Sequence, residues 1–449
     1  MPIEEQQSLE TRQMRISRWI YFLTLAMAML AAARAVPAQG GGYAITNARI
    51  YTVSGQVIEN GTVLVRDGKI AGVGRSVPIP RNTKIINARG LEVYPGLIDG
   101  GGRLGLTEIG SVPATVDAAE MNDYSPHIYA AAAINPAGDH ILVTRMNGIT
   151  AAVSRPAGGT LSGQAALIHL AGWSIDEMTV RKSIGMVFNF PSPRSAGGRG
   201  GAAAFGRRPA AFSEARRAYE NKLTEIRNLL NEARNYAKAK EAVAKNPALL
   251  RLERDLKLEA LIPVIKGDLP LLVDAGSERD IRNAVEFAEK EKLRIILTGA
   301  EESWRVASLL KDKQIPVILG PIISMPVRED DAYDSRFSAP AVLFKAGVKF
   351  CFSTEDSANA RNLPYEAGTA VAHGLPREEA LKAMTLNTAE ILGVAAELGS
   401  IEVGKVADLA VTDGDIMELK TQIKHLFIKG LPVELKSRQT ELADKYKAR

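Results

Sequence analysis

The stretch Leu91-Glu92-Val93-Tyr94-Pro95-Gly96-Leu97-Ile98-Asp99-Gly100-Gly101-Gly102-Arg103 decides the fold. Its apolar first part is typical of a short buried strand, and its second part is a glycine-rich turn. In α/β proteins, a buried parallel strand that runs into such a turn brings backbone to the rim of an active site. We therefore expect the rest of the chain to be organised around a parallel sheet.

The composition is that of a folded protein. With 449 residues, the chain is long enough for one large domain and a small one, or for two or three ordinary domains. A hydrophobic content of 46% with 24% charged residues argues against global disorder. The net charge of +5 comes from interspersed acids and bases without a basic patch that is interleaved with aromatic residues. We therefore expect no nucleic-acid partner.

The N-terminus has the pattern of a targeting segment. Three arginines precede the apolar run 19–33, and small residues follow it up to Ala38. This order predicts a secretory signal peptide over residues 1–38, cleaved after Ala38, with Ala35 as the second choice. A membrane anchor is the alternative, but the run is short for a span of about 20 residues. We expect an exported protein, periplasmic or extracellular, with no membrane segment after cleavage.

The strand pattern changes at the opening stretch. Before it, residues 43–74 and 84–88 are β-rich, with a hairpin signal at Asp67-Gly68, which predicts a small antiparallel unit. After it, short apolar strands alternate with helical stretches, as in parallel α/β proteins. These strands are predicted within 141–153 and at 166–170, 185–190, 271–274, 294–297, 315–319 and 348–352. A (β/α)8 barrel of the TIM type is the natural closure, and an open doubly wound sheet is the alternative.

An insertion near residues 193–260 interrupts the strand series. Residues 195–209 are rich in glycine, alanine and arginine, whereas residues 210–260 are charged and have helical spacing. We interpret the segment as a solvated helical hairpin over one face of the barrel. A disordered linker is the alternative for the glycine-rich portion.

Two parts of the chain resemble a known family. The stretch from Val93 to Asp99 resembles the first barrel strand of the amidohydrolase superfamily, whose pattern is Pro-Gly-Leu-Ile-Asp-x-His-x-His. Near the other end, Asn387-Thr388-Ala389-Glu390-Ile391-Leu392-Gly393 and Leu398-Gly399-Ser400-Ile401-Glu402-Val403-Gly404-Lys405 resemble the closing helices and return strand of imidazolonepropionase-like members. The resemblance implies a barrel over residues 95–393 and a small β-sandwich built from residues 39–94 and 394–449.

The metal ligands that the resemblance implies are missing here. Members of the superfamily hydrolyse C–N bonds with a divalent metal such as zinc, which activates bound water. Histidines after strand one and on strands five and six hold this metal, with an acid after strand eight that is also the general base. Gly101 and Arg103 hold the positions of the strand-one histidines, and neither can be a ligand. Asp274 or Ala275 on strand five and residues 297–301 on strand six supply no histidine either. We therefore predict no metal cofactor.

Other residues are candidates for the site by the same correspondence. Glu355 and Asp356 both stand where the catalytic acid is expected, and the sequence does not decide between them. A guanidinium of Arg103 at the metal position would neutralise these carboxylates. The substrate-binding candidates are Arg103, Asn189 at the end of strand four, Asp274 and Arg361.

Two further sets of side chains bear on a metal site. The five histidines share no ligand spacing: His127, His140, His169, His373 and His425. Four acids follow strand one, and with the strand-eight acids they could hold Mg²⁺ or Ca²⁺: Glu108, Asp117, Glu120 and Asp123. A solvated acidic loop, paired with arginines, is the preferred interpretation of this second set.

Two functions fit these observations. In the first, the chain is a barrel with a degenerate metal site and weak or no metal-dependent hydrolysis, which binds a small molecule or short peptide, or pairs with an active homologue. In the second, it is an active exported C–N hydrolase with a carboxylate-based metal site. A homo-oligomer is compatible with both.

Overall fold

The computed structural model describes residues 42–193, 212–246 and 252–448. The predicted signal peptide and the glycine-rich residues 195–209 lie outside the described residues. The strands are β1 Tyr43–Ile50, β2 Ile58–Arg66, β3 Lys69–Gly74, β4 Lys84–Asn87, β5 Glu92–Pro95, β6 Leu97–Gly102, β7 Ile149–Ser154, β8 Leu161–His169, β9 Thr179–Asn189, β10 Leu271–Asp274, β11 Ile295–Gly299, β12 Val317–Leu319, β13 Phe350–Phe352, β14 Leu409–Thr412, β15 Ile423–Ile428 and β16 Leu431–Val433.

Most helices lie between strands of the central series. The α-helices are α1 Asp139–Arg145, α2 Ile175–Met178, α3 Phe212–Lys245, α4 Leu256–Ile265, α5 Glu278–Glu291, α6 Ala307–Asp312, α7 Ser335–Ala346, α8 Leu363–Ala372, α9 Arg377–Ala383, α10 Leu386–Ile391 and α11 Arg438–Lys447. Short 3-10 turns span Pro113–Thr115, Ala130–Ala133, Ser303–Val306 and Ala360–Asn362. Among the helices in the described part of the chain, none has the length and apolar character needed to cross a membrane.

The two ends of the chain build one β-structure. Its strand order is β16-β15-β14-β5-β1-β2-β3, and β4 also pairs with β1. The ends meet where β5 and β14 pair antiparallel, with Tyr94 opposite Ala410. Ile45, Leu409 and Phe427 are fully buried in one apolar cluster between these strands. This arrangement confirms the predicted β-sandwich from both chain ends.

The strands β6 to β13 form the second sheet, in the order of the sequence. The first and last strands approach each other, because the Glu355 amide donates to the Gly101 carbonyl at 2.9 Å and the Ser353 hydroxyl donates to the same carbonyl at 2.5 Å. Phe352, Leu97 and Leu319 are almost wholly buried in the apolar layer between the barrel strands and the surrounding helices. The predicted barrel is therefore confirmed, and the alternative of an open doubly wound sheet is not observed.

One strand departs from the parallel pattern expected of the series. The strand predicted at 166–170 belongs to β8, which pairs antiparallel with both β7 and β9. The connection from β7 to β8 covers only residues 155–160. A parallel crossover needs about a dozen residues or more, so this short connection forces a hairpin.

The insertion contributes two helices, α3 and α4. Ile226, Leu230 and Ala233 are buried along one side of α3, at the spacing of an amphipathic helix. Arg234 on α3 donates to Glu291 of α5 at 3.0 Å, and Lys240 forms an ion pair with Glu259 of α4 at 2.6 Å. These contacts attach the long helix to the barrel and to its own partner helix.

Candidate functional site

Charged side chains converge at the carboxyl ends of the barrel strands. Arg155 directly follows β7, Asp274 ends β10, and Glu301 and Glu355 follow β11 and β13. In a barrel of this type, the carboxyl ends of the strands form the face that carries the chemistry. We call Arg155, Asp274, Glu301 and Glu355 the mouth cluster.

Arg155 supplies the positive charge of the mouth cluster. Its Nη2 lies 3.3 Å from Oε1 of Glu355, and their side chains are only 11% and 27% exposed. A Cβ on Gly101 would lie 3.0 Å from Nε of Arg155 and 3.2 Å from Oγ of Ser353. Gly101 therefore leaves the space into which the guanidinium packs. The buried Nη1 of Arg155 has no hydrogen-bond partner among the described residues.

Three carboxylates of the mouth cluster surround Gly299. A Cβ at this glycine, whose φ is +72°, would lie 3.3 Å from Oδ1 of Asp274, 3.6 Å from Oε1 of Glu355 and 3.8 Å from Oε2 of Glu301. Burial raises the pKa of Asp274. The positive charge of Arg155 opposes this rise, and the negative charge of Glu301 adds to it. Burial also raises the pKa of Glu355, again against the opposing charge of Arg155. The arginine thus offsets part of the cost of placing these acids together.

A further acid, Asp99, lies beneath the mouth cluster on β6. Its Oδ1 accepts hydrogen bonds from the amides of Gly101 and Thr354, each at 3.1 Å, and its Oδ2 accepts one from the Thr354 hydroxyl. The side chain is 1% exposed, and burial raises its pKa to about 7 despite these bonds. Asp99 therefore connects the ends of β6 and β13 and can change its protonation near neutral pH.

The structure separates Glu355 and Asp356, the two acids that follow β13. Glu355 faces the mouth cluster from a left-handed backbone conformation with φ of 53°, which is uncommon outside glycine. Asp356 instead accepts hydrogen bonds from the amides of Ser357 and Ala358 and from the side chain of Asn359. These bonds hold Asp356 in the loop after β13, so the sequence-derived pair divides into one cluster residue and one loop residue.

The substrate-binding candidates are also divided. Asp274 belongs to the mouth cluster, whereas Asn189 donates to the Gly159 carbonyl at 2.7 Å and to the Ser162 hydroxyl at 2.9 Å. Arg361 is exposed, and its carbonyl accepts from the side chain of Asn147. Arg103 is exposed as well, but its charge, like that of Arg155, opposes the rise in the pKa of Asp274. The guanidinium that packs against Gly101 and pairs with Glu355 is that of Arg155, which the sequence did not single out.

The described histidines and loop acids lie outside the mouth cluster. His169 pairs with Asp408 through Nε2 and Oδ2 at 3.0 Å, and His140 and His373 bond the carbonyls of Glu108 and Thr369. In the loop after β6, Asp123 pairs with Lys222 of α3 at 2.7 Å. No group of three or more His, Cys, Asp or Glu within the described residues has the arrangement to hold a metal ion.

Sequence reasoning missed three of the relevant residues. Arg155 follows the strand predicted within 141–153, so its place at a parallel-strand end is the signal that could have revealed it. Glu301 follows the strand-six residues in the same way, and Asp99 lies inside the opening stretch itself.

Comparisons with known proteins bear on the family and the fold of the chain. The model of the amidohydrolase family matches residues 281–433. An imidazolonepropionase of Symbiobacterium thermophilum is 24% identical over 403 residues, which cover 79% of this chain and 84% of that protein. Amidohydrolase tasK of Hapsidospora irregularis is 22% identical over 82% of this chain, which spans only 39% of the length of that relative.

A solved structure supports the same relation. An amidohydrolase of Thermotoga maritima MSB8 has a TM-score of 0.76 and 25% identity, and the match covers 87% of this chain and 99% of that one. A prolidase solved with N-methylphosphonate-L-proline is 18% identical with a TM-score of 0.52, covering 88% of this chain and 99% of that one, which is a likeness of fold.

Proposed function

Because the chain is an imidazolonepropionase-like member of the amidohydrolase superfamily, whose members hydrolyse C–N bonds, we propose that it binds a small molecule or short peptide at the barrel mouth with weak or no metal-dependent hydrolysis. One observation carries this proposal: the guanidinium of Arg155 packs against Gly101, where the superfamily places a histidine ligand. The chain keeps the framework of the family and supplies a different cation at its centre.

The donor set does not fit the metal of the superfamily. The positions of the strand-one histidines hold Gly101 and Arg103, and strands five and six end in Asp274 and Gly299. A histidine at 101 would meet Nε of Arg155 already at its Cβ, at 3.0 Å. A guanidinium donates hydrogen bonds and has no lone pair for a cation, so a dication beside it would also meet like charge. We therefore assign no step of a reaction to a bound metal.

The residues present suit recognition of a polar ligand. The guanidinium of Arg155 and the carboxylate of Glu355 lie 3.3 Å apart, and their side chains remain 11% and 27% exposed at the barrel mouth. A peptide-like or amide-containing ligand offers a carbonyl oxygen to the first group and an N–H to the second. Such paired donor and acceptor contacts fix the orientation of a ligand in a largely apolar barrel.

Metal analysis combined with an activity assay tests this proposal. We expect protein dialysed against zinc and manganese to retain less than about 0.1 ion per chain, since the ligand spacings of zinc sites are absent. Hydrolysis of dipeptides and cyclic amides should stay near the uncatalysed rate and be unaffected by chelator. One bound dication per chain, with turnover that chelator abolishes, would contradict the proposal.

Ligand binding should depend on the arginine and glutamate of the mouth cluster. We expect dipeptides that raise the melting temperature of the wild type to lose this effect in Arg155→Lys and Glu355→Gln. Arg181 and Glu397 form an exposed pair of the same chemistry elsewhere, so Arg181→Lys and Glu397→Gln are matched controls. Equal losses in both pairs would contradict a role for the mouth cluster.

The alternative function would require the three acids around Gly299 to bind a hard cation through their oxygens. These oxygens lie 3.3 to 3.8 Å from the position of a Cβ on Gly299, but within the described residues they have no arrangement that could hold a metal ion. In this alternative, the chain is an active exported C–N hydrolase with a carboxylate-based metal site. Metal binding that Asp274→Asn removes, together with metal-dependent turnover, would select this alternative.

Export is a separate proposal that rests on the sequence pattern of residues 1–38. We expect the mature protein to begin at Gln39 when it is recovered from the periplasm or the medium and its N-terminus is sequenced. An N-terminus at Met1 on protein that stays in the membrane fraction would support the anchor alternative.

A further inference from the structure

A cavity of about 550 Å³ lies at the opposite end of the barrel from the mouth cluster. Pro270, Arg294, Pro316 and Lys349 line it, and each directly precedes one of the four neighbouring strands β10 to β13. The cavity therefore opens at the amino ends of the strands. Its volume falls within the range of about 300–1,000 Å³ that is typical of sites for small ligands.

The floor of this cavity is aliphatic. Ile184, Ile295 and Leu310 line it and are at most 6% exposed, and Val348 and Leu392 are buried beside them. Removal of an alkyl chain from water onto such a surface is favourable in proportion to the apolar area that it covers.

The rim of the cavity is positively charged. Lys349 pairs with Glu390 of α10, which is the acid among the lining residues. Arg294 and Lys311 are exposed, and neither forms an ion pair with a carboxylate of the described chain. The Lys311 side chain lies over the end of α7, with Nζ 3.3 Å from the position of a Cβ on Gly347. Two cations without a carboxylate partner among the described residues thus lie beside an apolar floor.

We propose that this cavity binds a small amphiphile with one alkyl chain and one carboxylate. The chain covers the aliphatic floor, and the carboxylate lies between Arg294 and Lys311, where it accepts charge-assisted hydrogen bonds. An amphiphile with an uncharged head group would leave Arg294 and Lys311 without a carboxylate partner, and one with a cationic head group would be repelled. The site is separate from the mouth cluster and does not depend on the function proposed for it.

Calorimetric titration of the full chain with decanoate, below its micelle concentration, tests this assignment. We expect saturable binding of one decanoate per chain, at least about tenfold tighter than decanol and weakened by added salt, because the head-group contact is electrostatic. Decyltrimethylammonium should not bind. Equal affinity for decanoate and decanol, or no saturable binding of decanoate, would overturn the proposal.

Variants of the two cations locate the site. The double variant Arg294→Gln/Lys311→Gln changes only exposed side chains, and we expect it to weaken decanoate binding at least about tenfold while circular dichroism stays unchanged. Lys345→Gln, an exposed lysine on α7 outside the cavity lining, is the matched control and should bind decanoate as the wild type does. Wild-type affinity in the double variant would refute the assignment.

Discussion

Replacement of Arg155 with alanine is expected to lower the free energy of unfolding by about 1.5–3 kcal/mol at pH 8, because it leaves partly buried carboxylates without their counter-charge. Glu355 lies 3.3 Å from this guanidinium, and Asp274 and Glu301 share the same space around Gly299. Urea unfolding of wild type and variant measures the difference. We expect this loss to exceed that of an ordinary surface substitution several-fold.

The pH dependence of this loss identifies its cause. Arg155 opposes the rise in the pKa of Glu355 and of Asp274, so its removal raises both pKa values further. Acids with a raised pKa in the folded state favour folding at low pH and oppose it as the pH rises through that pKa. The loss in the free energy of unfolding caused by Arg155→Ala should therefore be smaller at pH 5 than at pH 8.

Two controls accompany the arginine variant. Arg155→Lys keeps the charge and should recover part of the stability. Arg181→Ala removes an arginine whose pair with Glu397 is 41% and 45% exposed, and it should cost about 1 kcal/mol or less. A deficit of Arg155→Ala that is the same at pH 5 and pH 8 would indicate lost packing instead of lost charge compensation.

Asp99→Asn should change how stability depends on pH. Burial raises the pKa of Asp99 to about 7, and its hydrogen bonds to Gly101 and Thr354 are bonds that an amide can also make. Asp99 makes its whole contribution to the free energy of unfolding below its pKa in the unfolded chain, near 4. This contribution is lost as the pH rises through the folded-state pKa of about 7. Relative to the wild type, the free energy of unfolding of Asp99→Asn should therefore increase by about 3 kcal/mol between pH 5 and pH 9.

Urea unfolding at pH 5, 7 and 9 measures this gain. Asp117, an exposed acid in the loop after β6, provides the control, since Asp117→Asn should follow the wild type at every pH. If the difference between wild type and Asp99→Asn is constant across the three pH values, the folded state does not hold Asp99 protonated near neutral pH.

The fold was largely predictable because its signals are local and repeated. Apolar strands bounded by turns predicted the barrel, and the opening stretch placed its first strand where β6 lies. The direction of β8 was missed although the connection at 155–160 is too short for a crossover. The length of the connection therefore predicts the direction of β8, and the composition of the strand does not.

The site was less predictable because it depends on where long side chains reach. Asp274 and Glu355 were identified from strand ends, and both lie in the mouth cluster. Arg103 was expected at the site because it holds the position of a superfamily histidine; its side chain is exposed, and its charge opposes the rise in the pKa of Asp274. Arg361 is exposed in the segment after β13. Arg155 lies there because Gly101 has no side chain, a relation between two strands that neither segment reveals alone.

The position of Arg155 has a consequence for how such a protein responds to its surroundings. A metal held by histidines exchanges with solution and is lost to competing chelators or to protonation of its ligands. A guanidinium stays attached to the backbone and keeps its proton throughout the physiological range. With the function proposed for it, the barrel mouth therefore carries a cation that is part of the polypeptide, and a shortage of metal ions would not remove it.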